Sequence, residues 1–496
     1  MDFHSQEYWQ EKVRHCVPEG RLFINGEYCA ARDGTTFACI NPATGQTLVE
    51  VARGKKEDVD RAVAAARAVF ERGDWSRAAP AQRKAVLNRL ADLMTQHAEE
   101  LALLETLDTG KPIRHSLRDD IPGAVRAIRW YAEAIDKVYG EVANTGEDAL
   151  ALIVREPAGV VAAVVPWNFP LMLACWKLGP ALAAGNSVVL KPSEKSSLSA
   201  LRLAALAQQA GLPDGVLSVI SGYGHEAGQA LSQHMDVDVM AFTGSGRTGR
   251  QLLRDAGDSN MKRVWLEAGG KSANIVFADC PDLEKAAAAT AAGIFYNQGQ
   301  VCIAGTRLLV EESIADRFLA LLKQQAQNWL PGDPLDPACT MGTLIDSAHA
   351  DGVHGFIRDG ENSGAQLLLD GRDCEQVASL GPTIFAVSDP TLRLSREEIF
   401  GPVLVVTRFD SEAQALALAN DSDYGLGAAV WTRDLSRAHR LSRRLKSGAV
   451  FVNNYNDGDM TVPFGGVKQS GNGRDKSLHA LDKFSELKTI WIALEC

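Results

Sequence analysis

No Cys-x-x-Cys pair occurs in this chain. The nine cysteines (Cys16, Cys29, Cys39, Cys175, Cys280, Cys302, Cys339, Cys374 and Cys496) are scattered and odd in number. That pattern offers neither a zinc site nor a disulfide framework, and it fits reduced thiols in a cytosol. Long apolar runs are missing too. The longest, residues 158–166, is far too short to span a bilayer. Residues 1–16 have no apolar core, so no signal peptide is expected. Positive charge is scarce: 51 Lys and Arg stand against 62 Asp and Glu, a net charge of -11. Such a balance argues against a general nucleic-acid binder. No nucleic acid, membrane or metal partner is therefore expected, and the expected location is the cytoplasm.

What is present is ordinary for a soluble enzyme: 46% hydrophobic and 23% charged residues. A chain of 496 residues is too long for one core, so two or three domains are expected. Residues 21–27 read as a strand and a hairpin turn at Asn25-Gly26. Residues 56–70, 80–107 and 122–138 carry apolar positions at helical spacing. This first quarter reads as a helical layer, not a catalytic one. Residues 138–155 read as a hairpin-like excursion of short β-prone segments, and 488–494 as a strand. Such edges pair either within the chain or with another chain. From residue 159 onward, strands (159–166, 186–194 with a charged end, 215–221, 237–242, 264–267) alternate with helices (171–182, 198–210, 226–233 and a stretch ending at 256). That order predicts a parallel sheet covered on both faces, with nucleotides bound at the carboxyl ends of the strands.

The candidate chemistry centres on Cys302, flanked by Gly299 and Gly305, which permit a tight turn and close approach. A cysteine there is a nucleophile if something lowers its pKa or takes its proton; otherwise it is a buried structural thiol. Gly244, Gly246 and Gly249 match G-x-G-x-x-G, and Glu267 lies 18 residues after Gly249. This is the shape of a dinucleotide fingerprint with its ribose acid. It comes late in its unit, however, so its use is expected to be a helix N-terminus facing a phosphate. Lys191 and Glu194, at the end of an earlier strand, are better placed for an adenosine ribose, the alternative being solvated loop charges.

Seven stretches occur in order: Pro166-Trp-Asn-Phe-Pro170, Lys191-Pro-Ser-Glu194, Phe242-Thr-Gly-Ser245, Leu266-Glu-Ala-Gly-Gly-Lys271, the Cys302 segment, Glu397-Glu-Ile-Phe-Gly-Pro402 and Pro463-Phe-Gly-Gly466. Together they resemble the NAD(P)-dependent aldehyde dehydrogenase superfamily over essentially the whole chain. More narrowly, residues 111–120 and 453–459 resemble the bacterial γ-glutamyl-γ-aminobutyraldehyde dehydrogenases of putrescine breakdown and related aminoaldehyde dehydrogenases.

The resemblance implies an α/β fold with a Rossmann-like cofactor domain (1–137 and 157–268) and an α/β catalytic domain (269–478). A small β element (138–156 and 479–496) would bridge subunits into dimers and dimers of dimers. It implies Cys302 as nucleophile, Asn168 and the Cys302 N–H as oxyanion donors, and Glu267 as the base that activates water. A buried ion pair of Glu267 with Lys271 is the competing assignment. Gly269 and Gly270 would leave room for carboxylate motion and cofactor. Cofactor contacts carry over to Trp167, Lys191, Ser193, Glu194, Gly228, Gly244, Ser245, Thr248, Leu266, Glu398 and Phe400. NAD is expected because Glu194 repels a 2′-phosphate; Lys195 beside it softens the repulsion and leaves NADP open. A monovalent cation near Asp108 is also left open. Substrate residues carry over to Phe169, Met172, Trp176, Tyr296 and Phe464 as aromatic or apolar walls. Asp119, Asp120, Asp457 and Asp459 are expected as carboxylates at the tunnel mouth, Asp457 foremost, suited to a cationic aldehyde such as an aminoaldehyde; the alternative is solvated loop residues or helix N-caps. The competing functions are a broad-specificity aldehyde dehydrogenase (guanidinobutyraldehyde, hydroxypropionaldehyde, betaine aldehyde or simple aliphatic aldehydes), acyl transfer to coenzyme A, and a non-enzymatic role that loss of Cys302 or Glu267 would mark.

Overall fold

The computed structural model describes residues 4–373 and 378–495. Cys374 and Cys496 lie outside them, and the other seven cysteines are free thiols. Two seven-stranded sheets dominate. The first runs Arg263–Ala268, Val239–Gly244, Val160–Val164, Ser187–Lys191, Leu217–Val219, Leu22–Ile24, Glu27–Cys29. Its first five strands are parallel, and the hairpin at its edge joins antiparallel. The hairpin turn is Asn25-Gly26, both at positive φ (52° and 86°), as a tight two-residue connection requires. Along the central strands, alternate residues serve opposite faces. Val161, Ala163, Val188 and Leu190 pack with Pro170–Ala184 and Leu198–Gln209, while Val160, Ala162 and Val189 pack with Lys56–Arg72. Burial on both faces explains why these strands read as continuous apolar runs.

The second sheet runs Gln366–Leu369, Thr383–Ala386, Val403–Phe409, Arg307–Glu311, Ala273–Val276, Gly427–Trp431, Ala449–Val452. It is parallel except for its first pair. The chain passes from strand Arg263–Ala268 of the first sheet directly into strand Ala273–Val276 of the second. The carboxyl edge of one sheet therefore meets the amino edge of the other. An isolated bridge, Glu267 to Gly471, crosses this junction. Arg307 stiffens it by donating to the carbonyls of Lys271, Leu418 and Ala419 at 2.9, 2.8 and 2.9 Å.

A third sheet holds Glu141–Ala143, Ala149–Pro157 and Ser485–Ala493, with Ala149–Pro157 central. The excursion expected at 138–155 is thus a hairpin with one nine-residue strand, completed by the C-terminal strand in antiparallel register from Ser485↔Pro157 to Ala493↔Ala149. The outer strand is almost wholly exposed, Trp491 to 65%. Two helices differ from expectation. The one expected to 138 stops at Ala134 and closes with a 3-10 turn, Ile135–Lys137. The one expected at 226–233 opens as a wide π turn, Gly224–Gly228.

The first quarter is not a remote layer. Glu105, fully buried on Ala98–Thr109, accepts from the Leu171 N–H at 2.8 Å and the Ser199 hydroxyl at 2.7 Å. It thereby fixes the helix start that follows Asn168. Lys111, also buried, pairs with Asp120 and stands 3.9 Å over the Phe169 ring.

A second buried charge cluster ties the C-terminal region to the first sheet. Asp475 accepts from Lys177 at 2.5 Å and from Lys483, and all three are at most 3% exposed. Removing one partner leaves uncompensated buried charge. Asp475→Asn is therefore expected to destabilise the fold by about 3–5 kcal/mol in denaturant titration. A loss of less than about 1 kcal/mol would show that the lysines find water or other partners.

Candidate active site

The loops at the carboxyl ends of strands Val160–Val164 and Arg263–Ala268 meet the loop entering strand Arg307–Glu311 at the junction. Pro166 and Pro170 bracket Asn168, with Pro170 as the first residue of its helix, where a missing N–H costs nothing. Asn168 is buried; its Nδ2 donates to the Gln300 carbonyl at 2.8 Å, and one amide hydrogen is left for another acceptor. The segment before Cys302 turns through two left-handed residues, Asn297 and Gln298 (φ 48° and 56°). Their buried amides hold it: Asn297 donates to the Asn168 carbonyl (3.0 Å), and Gln298 is bonded to Gly342 and Thr343. The two glycines have distinct reasons. Gly299 has φ +71°, and a Cβ there would lie 2.2 Å from the Gly401 carbonyl oxygen. Gly305 lies against Tyr455, whose hydroxyl donates to the Ile303 carbonyl at 2.6 Å.

Burial pushes the Cys302 thiol up to about 12, the carboxylates of Glu398 and Glu267 add to this, and the backbone N–H groups of Ile303 and Cys302 oppose it. Those N–H groups therefore face the sulfur, where an oxyanion on an attached carbon would also be held. Glu267 is buried, and neither of its carboxyl oxygens has a hydrogen-bond partner among the described residues. Burial, then Asp475, drives its pKa well above the ordinary carboxylate range, against the pull of Lys177, Lys483 and Arg474. No ion pair joins Glu267 to Lys271, whose ammonium has no hydrogen-bond partner among the described residues. Gly269 and Gly270 are not empty space: a Cβ on Gly269 would strike the Glu398 carboxylate, and one on Gly270 would lie 2.8 Å from the Cys302 carbonyl oxygen.

The remaining predicted residues fall in two groups. Lys191 is buried, its ammonium donating to the Pro192 carbonyl at 2.9 Å and lying 3.8 Å from Glu194. Gly228 opens onto its alkyl chain. Ser193 accepts from the Lys195 N–H. Lys195 is ion-paired to Asp346, so it is drawn away from the role of offsetting Glu194. Ser245 caps the helix Gly246–Gly257 by accepting from Thr248 N–H, and its hydroxyl lies 3.0 Å from that of Thr248 on an exposed face. Gly244 lies against the Phe242 ring, and Gly249 against Leu266. Leu266 itself has its backbone committed: its N–H goes to Asn472, and its carbonyl accepts from Asn472 and Gly473. It offers a ligand only apolar contact. Glu398 accepts from Gly270 N–H at 3.1 Å; burial lifts its pKa to about 7, against that bond and Lys271. Phe400, at φ +58°, meets Trp167 edge-on at 5.4 Å.

Of the residues expected as aromatic walls, Phe169 stacks with Tyr296 (6.3 Å) and Trp176 meets Phe464 (5.2 Å). Met172 borders Gly123. Asp120 departs from expectation. It is fully buried and paired with Lys111, because the π turn Ser116–Asp120 directs it inward. Asp119 stays half-exposed and accepts from the Tyr296 hydroxyl at 3.1 Å. Asp457 is exposed, as a mouth residue should be.

The sequence pattern of the aldehyde dehydrogenase family matches residues 28–490. The chain belongs to that family. The enzyme is 78% identical over 495 residues to an NADP/NAD-dependent aldehyde dehydrogenase, PuuC, of Escherichia coli (strain K12), covering 100% of both chains. Among solved structures it is similar to an indole-3-acetaldehyde dehydrogenase in complex with NAD+ (56% identity, TM-score 0.98, 99% of this chain and 100% of that one). It is equally close in shape to a γ-glutamyl-γ-aminobutyraldehyde dehydrogenase of Burkholderia cenocepacia (52% identity, TM-score 0.98, 99% and 100% covered). The aldehyde dehydrogenase fold expected from the sequence is therefore borne out.

Sequence reasoning missed the residues that hold the enzyme's site: Gln300, Asn297, Tyr455, Glu105 and Asp475. Only the density of amides around Cys302 could have signalled the first two. Three outcomes test the arrangement. Cys302→Ala should abolish turnover with cofactor affinity near normal; a residual rate above a few per cent would refute a covalent route. Glu267→Gln should give an NADH burst of about one per site followed by slow turnover, since deacylation stalls. Alkylation of Cys302 by iodoacetamide in the free enzyme should accelerate about tenfold per pH unit from pH 7 to 9, because the thiolate is the reactive form. A flat profile across that range would mean the thiol is already ionised.

Proposed function

We propose that this aldehyde dehydrogenase oxidises an aminoaldehyde of polyamine breakdown, 4-(γ-glutamylamino)butanal or a close relative, to its acid with NAD. The observation that carries the hydrolytic reading is Glu267: a buried carboxyl with both oxygens unpartnered, close enough to Cys302 for its charge to act on the sulfur. Its raised pKa makes it a stronger base than a solvated carboxylate once ionised, so turnover should rise with pH as it deprotonates.

The residues present fit a dinucleotide. A buried ammonium (Lys191) 3.8 Å from Glu194 suits ribose hydroxyls. The exposed Ser245 cap at a helix N-terminus suits a pyrophosphate. Glu398 and the Phe400–Trp167 pair suit the nicotinamide riboside. When bound, NAD supplies the hydride acceptor. The protein's part is separate. Cys302 loses its thiol proton to solvent water and its thiolate adds to the aldehyde carbon; the carbonyl oxygen becomes an oxyanion held by Asn168 Nδ2–H and the Cys302 N–H. Loss of hydride from that carbon leaves a thioester on Cys302. Glu267 takes a proton from water, the resulting hydroxide attacks the thioester, and acid and thiol are released. Aldehyde, NAD+ and water thus give carboxylate, NADH and two protons. Free acid formed without coenzyme A distinguishes this from acyl transfer.

The substrate assignment draws on the B. cenocepacia relative named above and on the aromatic tunnel. Its test is kcat/KM over γ-glutamylamino-, amino-, guanidino- and alkyl-butanals; equal values for all would favour a broad-specificity enzyme. The domain division proposed is 1–137 with 157–268 for cofactor, 269–478 for catalysis, and 138–156 with 479–496 for assembly. The exposed apolar strand Ser485–Ala493 supports a dimer, paired into a tetramer, and a cytoplasmic location fits the unpaired thiols. NAD should exceed NADP in kcat/KM, and Glu194→Gln should narrow that ratio, since the carboxylate repels the 2′-phosphate. An unchanged ratio would take Glu194 away from the ribose.

A further inference from the structure

The tunnel mouth was expected to carry only carboxylates. It also carries two cations. Lys476 Nζ stands 5.0 Å from the centroid of Trp176 and 5.8 Å from that of Phe464, two rings that pack on each other. Arg126, on helix Ile121–Ala134, brings its guanidinium beside Gly123 at the point that Met172 sulfur also borders. Neither Lys476 nor Arg126 has an ion-pair or hydrogen-bond partner for its cationic group among the described residues. Lys476 is half-buried and Arg126 is exposed; Lys195, of similar exposure to Lys476, and the buried Lys111, Lys177 and Lys483 each hold a carboxylate.

Lys476 is also held in place at a cost. It has φ +59° and is followed by Ser477 at +49°, left-handed positions that non-glycine residues seldom adopt. The backbone on either side enforces this. Asp475 and Phe464 exchange backbone hydrogen bonds (2.7 and 2.8 Å), Ser477 N–H reaches the Met460 carbonyl (2.8 Å), and the Tyr131 hydroxyl donates to the Ser477 carbonyl (3.1 Å). A strained lysine laid over two rings with no anion beside it is a poor structural device, because burial disfavours its charge. Its ammonium is indeed lowered, by burial first and then by Arg126, while Asp459 and Asp475 oppose. Asp475 is already engaged by two lysines, and Asp459 is exposed and accepts from the N–H and hydroxyl of Thr461.

We infer that Lys476 and Arg126 form a seat for a carboxylate at the far end of the aldehyde, with Asp457 and Asp459 outside it facing an ammonium. The substrate class that satisfies both is an aldehyde ending in an α-amino acid group, not a simple monocation. This deepens the proposed function and rests on it. A γ-glutamyl tail carries both charges on one carbon, so one end group can meet the cations over the rings and the aspartates at the rim. A bare aminoaldehyde would bring its ammonium toward Lys476 and gain less.

Four aldehydes separate the charges: 4-(γ-glutamylamino)butanal, 4-(glutarylamino)butanal with the carboxylate alone, 4-(4-aminobutanoylamino)butanal with the ammonium alone, and butanal. In Lys476→Met, which keeps an apolar stem on Trp176, the ratio of kcat/KM for either carboxylate aldehyde to that for butanal should fall about tenfold, mainly through KM. The ammonium-only aldehyde should gain on butanal. Arg126→Met should shift the ratios the same way, and Lys476→Arg should retain the wild-type order. If Lys476→Met lowers all four aldehydes alike, Lys476 only packs the wall and the seat is refuted. If wild type prefers neither carboxylate aldehyde over butanal, the substrate reading itself fails, and the seat with it. A wild-type preference that survives in both methionine variants removes the seat alone.

Discussion

The bond from Asn168 Nδ2 to the Gln300 carbonyl joins the two halves of this enzyme's chemistry. Asn168 belongs to a loop leaving the first sheet, and Gln300 to a loop entering the second. Without that link, the proposed oxyanion donor and the proposed nucleophile would sit on unconnected sheet edges. Asn297 reinforces it by donating to both the Asn168 and Gln300 carbonyls. Gln300 and Gln298 then anchor the same loop to residues 342–345. Four buried amides thus do what regular secondary structure does elsewhere: they satisfy backbone groups and fix a geometry.

That dry, amide-lined junction is also the source of the site's electrostatics. Removing water raises the pKa of both Cys302 and Glu267, and it lowers that of Lys271 to about 7. Unpartnered buried polar atoms here include both oxygens of Glu267, Oδ1 of Asn168 and Nζ of Lys271. The buried charges of the Lys177–Asp475–Lys483 cluster, by contrast, compensate one another. Stability is given up where groups must be free to meet a substrate, cofactor or water, and it is recovered in the surrounding ion pairs and packing.

The fold was largely legible because its signals are local. Alternating β-branched runs and helical stretches predict the first sheet, and Asn25-Gly26 predicts its edge hairpin. The errors have physical causes. The π turn at Gly224–Gly228 and the early stop at Ala134 reflect packing, which propensity does not contain. Glu267 falls near a ribose acid's usual spacing from the glycine fingerprint. It lies beside Thr243 at the end of an edge strand, where its side chain turns toward Gly465 and the other sheet instead. Asp119 and Asp120 are neighbours in sequence, yet one turn of π-helix sends the first to Tyr296 and the second into the interior.

The order of short motifs along the chain was enough to point to the family and its reaction. Cys302, Asn168, Glu267 and the proposed cofactor residues sit in short stretches whose residue types carry their own chemistry, and those stretches are legible without any detail of packing. Their surroundings depend on the folded chain. The amides that pin the Cys302 loop, the lysines around Asp475, and the meeting of Arg126 with Lys476 at the tunnel mouth join residues far apart in the chain. No periodicity or spacing relates them, because their proximity arises only when one sheet's carboxyl edge is folded against the other's amino edge.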